Sequence, residues 1–140
     1  MAMSKASLER QVRELARNRC EYCHIPDGII HFPHVLDHVI ARQHGGKSKV
    51  QNLVLCCGRC NQYKGPNIAG LDPKTAKLTP LFHPRRHAWR AHFRWSGARL
   101  IGITPIGRTT ISVLSINLPQ RLALRRLLID EKRFPPSDDL

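Results

Sequence analysis

Apolar residues at Leu8, Val12 and Leu15 recur at the three- and four-residue spacing of one helix face. Ser4 or Ser7 can cap this segment, and the spacing predicts a helix running to about Asn18. Arg10, Arg13 and Arg17 fall largely off the stripe, where they serve as a solvated face or as contacts to a polyanion. The pattern then changes. Cys20 to Cys23 and Pro26-Asp27-Gly28 are turn-like, and residues 31–40 are aromatic, β-branched and too short for a useful helix, so they are expected to be extended. His44-Gly45-Gly46 opens a loop. Asn52-Leu-Val-Leu-Cys is a short apolar run, and Gly58 to Lys64 fits a short helix that Gly65-Pro66 ends.

Residues 67–84 have little apolar periodicity and are expected to form a long irregular crossing. Trp89 and Phe93 are four apart, as are Arg86 and Arg90, which suggests a short helix with an aromatic face docked on a core and a basic face outward. Leu100-Ile-Gly-Ile-Thr has strand character, Thr109 to Ile116 helix character, and Pro119 suits the start of a last helix over Gln120 to Asp130. No internal repeat is visible.

Charge narrows the function classes. The 140 residues hold 23 Lys and Arg against 10 Asp and Glu, a net of +13, which draws the chain toward polyanions such as nucleic acid. No apolar run reaches the roughly 18 residues of a membrane span, and residues 1–19 lack a secretory hydrophobic region, so the cytoplasm is the expected location.

Five cysteines, at 20, 23, 56, 57 and 60, form no even disulfide framework. A structural zinc site needs four ligands at tetrahedral corners, and each C-x-x-C turn supplies two. Cys20 with Cys23 and Cys57 with Cys60 complete such a set, leaving Cys56 as a buried free thiol. The competing redox role lacks the strand-to-helix context of a thioredoxin-like turn. Zinc with four thiolates carries a formal charge of −2, and Arg19, Arg59 and Lys64 are the cations nearest in sequence. His24, His31 and His34 are not needed as ligands. The staple ties the N-terminal helix to the segment after residue 52 and clamps what lies between.

What lies between includes Asp37-His38 inside the apolar run Val35 to Ile40. Strand alternation puts the two on opposite faces, so one polar side chain would face the core unless both border a cleft. A metal ion and a phosphate would give both a purpose there. The segment Asp37-His38-Val39-Ile40, Gly45-Gly46, Asn52-Leu53 and Cys57-x-x-Cys60-Asn61-x-x-Lys64 resembles the HNH endonuclease family, in its subgroup with two zinc-binding C-x-x-C pairs. The resemblance implies an α+β fold: a small ββα-metal core stapled by the four-cysteine zinc site, with an N-terminal helix and a C-terminal mixed α/β extension. It implies His38 as general base, Asp37 and Asn61 as ligands of a catalytic divalent metal, and Asn52 as the residue holding loop and histidine in place. Asparagine rather than histidine at 61 is the one departure. Residues 66–128, including Leu81-Phe-His-Pro-Arg and His92-Phe-Arg-Trp, are similar to the tail of a bacterial, largely cyanobacterial, set of such proteins, which assigns that tail no role.

The chemistry is consistent with the resemblance. A neutral imidazole can take a proton from water near neutral pH. Magnesium or manganese, with nickel as a further choice, could stabilise the charge on the phosphate and the departing O3′, leaving 5′-phosphate and 3′-hydroxyl ends. The expected partner is DNA, met mainly through its phosphate backbone. His44, Arg59, Lys64, Arg85, Arg86, Arg90 and Arg94 are the candidate contacts, Lys64 because it shares a helix face with Asn61. The expected division is a basic helix over 1–19, the catalytic module over 20–66 and a basic extension over 67–140 packed on it. The rival reading is a non-catalytic, zinc-stabilised nucleic-acid-binding module. It explains charge and cysteines equally well, but not a carboxylate where a DNA backbone would lie.

Overall fold

A computed structural model describes residues 3–139. The fold is α+β, with four α-helices among three two-stranded antiparallel sheets in the described residues. Helix α1 (Lys5–Ala16) starts where Ser4 Oγ accepts the Ser7 N–H at 3.1 Å, and stops where Arg17 and Asn18 turn left-handed. Its buried stripe is Val12 and Ala16 with Leu8 beside them. Leu15, expected on that stripe, is 55% exposed, because Ala16 rather than Leu15 continues the row four residues after Val12.

Strands β1 (Val35–His38) and β2 (Leu53–Cys56) pair with Asp37 opposite Val54 and His38 opposite Leu53. Only the last part of the stretch expected to be extended is paired. β2 is buried along its whole length, since α1 covers it on one side and the main core lies on the other. Helix α2 (Gly58–Lys64) follows at once and packs against β1, completing a ββα unit. Cys57 sits at its N-cap and its sulfur accepts the Cys60 N–H at 3.5 Å. Gly65 ends the helix, as expected from sequence.

The second half corrects three expectations. Residues 67–84 contain a hairpin, β3 (Ala69–Leu71) with β4 (Leu78–Pro80). The buried Asp72 carboxylate organises its turn by accepting from the Lys74 N–H, the Thr75 hydroxyl and both nitrogens of an Arg108 fork. Instead of a helix through Trp89 and Phe93, a single 3-10 turn over Trp89–Ala91 leads into β5 (Phe93–Ser96), which pairs with β6 (Arg99–Gly102). The aromatic cluster forms nonetheless: the Trp89 and Phe93 rings lie 5.2 Å apart, Phe93 buried.

Helix α3 (Pro105–Val113) begins earlier than expected, at a Thr104 cap whose hydroxyl accepts the Gly107 N–H. Gly107 lies so close to the residue preceding β5 that a Cβ there would sit 2.1 Å from the His92 carbonyl oxygen. Helix α4 (Pro119–Asp130) buries Leu122 and Leu128 and exposes Leu127. One buried cluster runs from Cys20, Tyr22, Val39 and Val54 through Phe82, Phe93 and Leu100 to Leu114, Leu128 and Phe134. The second half of the chain thus shares its core with the ββα unit. No helix among the described residues is long and apolar enough to cross a membrane.

Candidate active site and metal centre

The Cys20–Cys23 turn closes on itself: the His24 N–H donates to the Cys20 carbonyl, and the Cys20 N–H to Ile25. This loop lies against the N-terminus of α2, so that the Sγ atoms of Cys20, Cys23, Cys57 and Cys60 all fall within 4.8 Å of one another. Zinc–thiolate bonds of about 2.3 Å at tetrahedral angles imply sulfur–sulfur edges of about 3.8 Å. The Cys23–Cys57 separation is 3.7 Å, and all four cysteines are buried, so the donor set fits a structural metal such as zinc. Cys56 is also buried, outside the quartet.

The cations beside this centre differ from those expected. Arg19 pairs with Asp138, Arg59 is exposed, and Lys64 turns toward β1. The guanidinium on the sulfurs belongs to Arg121 of α4, whose Nη2 donates to Cys60 Sγ at 2.9 Å and lies 3.9 Å from Cys57 Sγ. Burial alone would lower the Arg121 pKa; the charges of Cys60, Cys23 and Cys57 outweigh it and hold the group above its ordinary value. One turn on, Arg125 is pulled down to about 10 by burial and donates to the carbonyls of Ala98 and Ile116. Sequence reasoning missed Arg121. Its signal was a pair of arginines four apart, interleaved with the leucines of a half-buried helix.

Asp37, His38 and Asn61 line one cleft of about 350 Å³ between the end of β1 and α2. Asp37 and His38, on opposite strand faces, both border it because the strand ends there and the chain turns away at Val39. Asp37 Oδ2 is buried without a hydrogen-bond partner, 3.8 Å from Lys64 Nζ. Burial raises the Asp37 pKa, against the pull of Lys64. His38 Nε2 meets Ser48 Oγ at 2.9 Å, and Ser48 Oγ also accepts from Arg42 Nη2 at 3.1 Å. Neither Ser48 nor Arg42 carried a signal in the sequence.

Asn52 does not line the cleft. Its buried amide binds both ends of the loop between β1 and β2: Oδ1 accepts the Ile40 N–H, while Nδ2 donates to the carbonyls of Ile40 and Lys47, each at 2.9 Å. The loop is drawn so tight that a Cβ on Gly46 would sit 1.7 Å from the Ile40 oxygen.

Two residues read from sequence as DNA contacts are placed otherwise. Lys64 is 1% exposed and donates to the Val39 carbonyl at 2.9 Å, because α2 turns it inward under β1. Arg85 forms a two-nitrogen pair with the buried Glu21, whose Oε2 also accepts the Leu55 N–H. His44, Arg59, Arg86, Arg90 and Arg94 are exposed. His24 and His34 are buried and bonded to Asp139 and the Ile25 carbonyl, while His31 is exposed.

The site therefore consists of a ββα unit with a closed four-cysteine centre on one side and an open acid–imidazole–amide cleft on the other. Residues 20–67, which hold both, match the family model described as HNH endonuclease, and the match supports a function of nuclease type for this segment. Comparison with curated proteins and with solved structures gives no match.

Proposed function

We propose that this protein is a metal-dependent endonuclease that hydrolyses DNA phosphodiesters to 5′-phosphate and 3′-hydroxyl ends. The observation that carries the reading is the meeting of Asp37, His38 and Asn61 in one open cleft. Asp37 and Asn61 would hold the divalent ion, magnesium or manganese by their oxygen donors, with nickel as a further choice. The buried, unpartnered Asp37 Oδ2 supports this, since such an atom gains from a cation. When bound, the ion stabilises negative charge on the phosphate and on the departing O3′.

His38 is the general base. In the tautomer that donates Nε2–H to Ser48 Oγ, Nδ1 is left to take the proton of the attacking water. Asn52 is a positioning residue that fixes the loop carrying Ser48, and Lys64 braces β1 from α2 beneath Asp37. The exposed side chains of His44, Arg59, Arg86, Arg90 and Arg94 are free to meet a phosphate backbone, within a chain of net charge +13. In this reading an N-terminal part over 1–19, whose helix is Lys5–Ala16, and an extension over 67–140 would support the catalytic module over 20–66, residues 1, 2 and 140 lying outside those described.

The test is a plasmid-cleavage time course for wild type and His38→Ala with magnesium, manganese and nickel. General-base catalysis predicts a loss on the order of 10²–10⁴ in rate with DNA binding retained. A wild-type protein that binds DNA and cuts it with none of these metals would replace the reading with a non-catalytic binding module.

A further inference from the structure

Asn61 borders a second space as well as the cleft. A groove of about 640 Å³ runs from Asn61 along the opposite end of β1, with Ile30, Phe32 and Val35 on one wall and Leu124 of α4 on the other. Strand alternation puts Val35 and Asp37 on the same face of β1. On α2, Gly58, Asn61 and Gln62 share a face by their three- and four-residue spacing. Groove and cleft thus adjoin at Asn61, the residue that lines both, and lie end to end as a trough between β1 and α2. Its polar end holds Asp37 and His38, and its apolar end holds Val35, 41% exposed, and Phe32, 73% exposed.

The apolar end is poorly suited to a phosphate. Its lining includes Cys23 and Cys57, which would be anionic with a metal bound, and its two buried arginines, Arg121 and Arg125, are committed to the sulfurs and to backbone carbonyls. It is well suited to a planar, uncharged ring. Phe32 offers an exposed aromatic face, and the exposed Arg59, Gln62 and Gln120 at the rim offer donors and acceptors to a ring edge. A trough with a phosphate end and a ring end matches the two ends of a nucleotide.

We propose that the apolar end of this trough takes a nucleobase of the substrate beside the scissile phosphate, with Phe32 as its stacking partner. The inference rests on the nuclease reading of the adjoining cleft. A base inside a duplex is stacked on its neighbours and cannot enter the groove; it must be single-stranded, bulged or extruded. The substrate preference is therefore for DNA with an unpaired base at the cleavage site.

The test compares cleavage of oligonucleotides of one length and sequence as fully paired duplex, duplex with one bulged nucleotide, and single strand. Wild type should cut the bulged and single-stranded forms about tenfold or more faster than the duplex, the scale of one base–aromatic stack. Phe32→Ala should bring that ratio close to one, while Leu78→Ala, at an exposed leucine on β4 away from the trough, should leave it unchanged. Binding is read separately with His38→Ala protein and a single strand carrying 2-aminopurine. Stacking should quench its fluorescence, and the His38→Ala/Phe32→Ala double variant should not quench it. Equal cleavage of all three forms, or quenching independent of Phe32, overturns the proposal. So does a concentration-dependent dimer abolished by Phe32→Ala, which would give the groove to a second copy of the chain. Cleavage of no DNA in any form defeats the nuclease reading instead, and Phe32-dependent quenching, present or absent, then decides base binding in the groove by itself.

Discussion

The two sides of the ββα unit are built on opposite plans. The cysteine centre is closed: four buried sulfurs converge, a guanidinium from α4 covers them, and a helix N-cap supplies one of the four. The cleft is open: Asp37, His38 and Asn61 are only half-buried, and a carboxylate oxygen is left without a hydrogen-bond partner. A metal centre that fills its own coordination shell contributes to folding, whereas one that leaves positions open contributes to chemistry. α2 serves both, bringing Cys60 to the closed side and Asn61 to the open one in consecutive residues. The closed centre holds the helix that the open one needs.

The comparison breaks first at the cysteines. Cys60→Ser should lose the metal and unfold the module, because structural zinc contributes on the order of 10 kcal/mol and a domain of this size has only about 5–15 kcal/mol in all. Elemental analysis should give about one zinc per wild-type chain. A Cys20/Cys60 double serine variant that keeps its zinc and its circular dichroism would contradict the closed plan. On the open side, Asp37→Ala should abolish cleavage while the zinc content stays at the wild-type level. A chelator should likewise stop cleavage before it removes zinc.

Arg121→Gln sharpens the boundary between the two. Removing one partner of a buried ion pair costs about 3–5 kcal/mol, so this variant should melt lower and release zinc faster to a chelator. An unchanged release rate would mean that the sulfurs do not need the guanidinium.

Acid should loosen the closed side more gently. Burial, then the charges of Arg86 and His87, lower the His83 pKa to about 4, and its Nδ1 accepts the N–H of Arg85, whose side chain grips Glu21. An unfolded imidazole titrates near 6.5. The unfolded chain thus takes up a proton that the folded chain refuses. This contribution is complete above about pH 6.5 and lost as pH falls toward about 4. Denaturant melts of wild type and His83→Gln across that window should differ in slope, the variant being flatter.

The smallest effect belongs to the surface. Each of Arg86→Gln, Arg90→Gln and Arg94→Gln should reduce the salt dependence of DNA binding by about 0.9 in log–log slope if its residue meets a phosphate. An unchanged slope removes that residue from the interface.

The legible parts of the sequence were those specified locally. Two C-x-x-C turns identify a metal quartet by spacing, and Gly65-Pro66 marks a helix end wherever the helix lies. Asp37 and His38 stood out because polar residues interrupt an apolar run. What could not be read depends on distant partners. Ala69-Gly70-Leu71 has no alternation, and its hairpin is organised through Asp72 and Arg108, far apart in sequence. At Phe93-Arg94-Trp95-Ser96 two periods competed. The four-residue spacing from Trp89 suggested a helix, while the strict alternation of large apolar with polar side chains, the stronger signal, belonged to β5. Lys64 shares a helix face with Asn61 in sequence, but that face turns inward at the last turn, so shared spacing did not make it accessible.

The measurement that tests the central claim most directly is a crystal structure soaked with manganese and read by anomalous scattering. The account predicts one manganese bound by Asp37 and Asn61, a His38 nitrogen facing a water or phosphate near it, and a separate zinc within the four cysteines. A cleft that stays free of metal at saturating manganese, with Asp37 turned from Asn61, would contradict the catalytic reading even with the zinc in place.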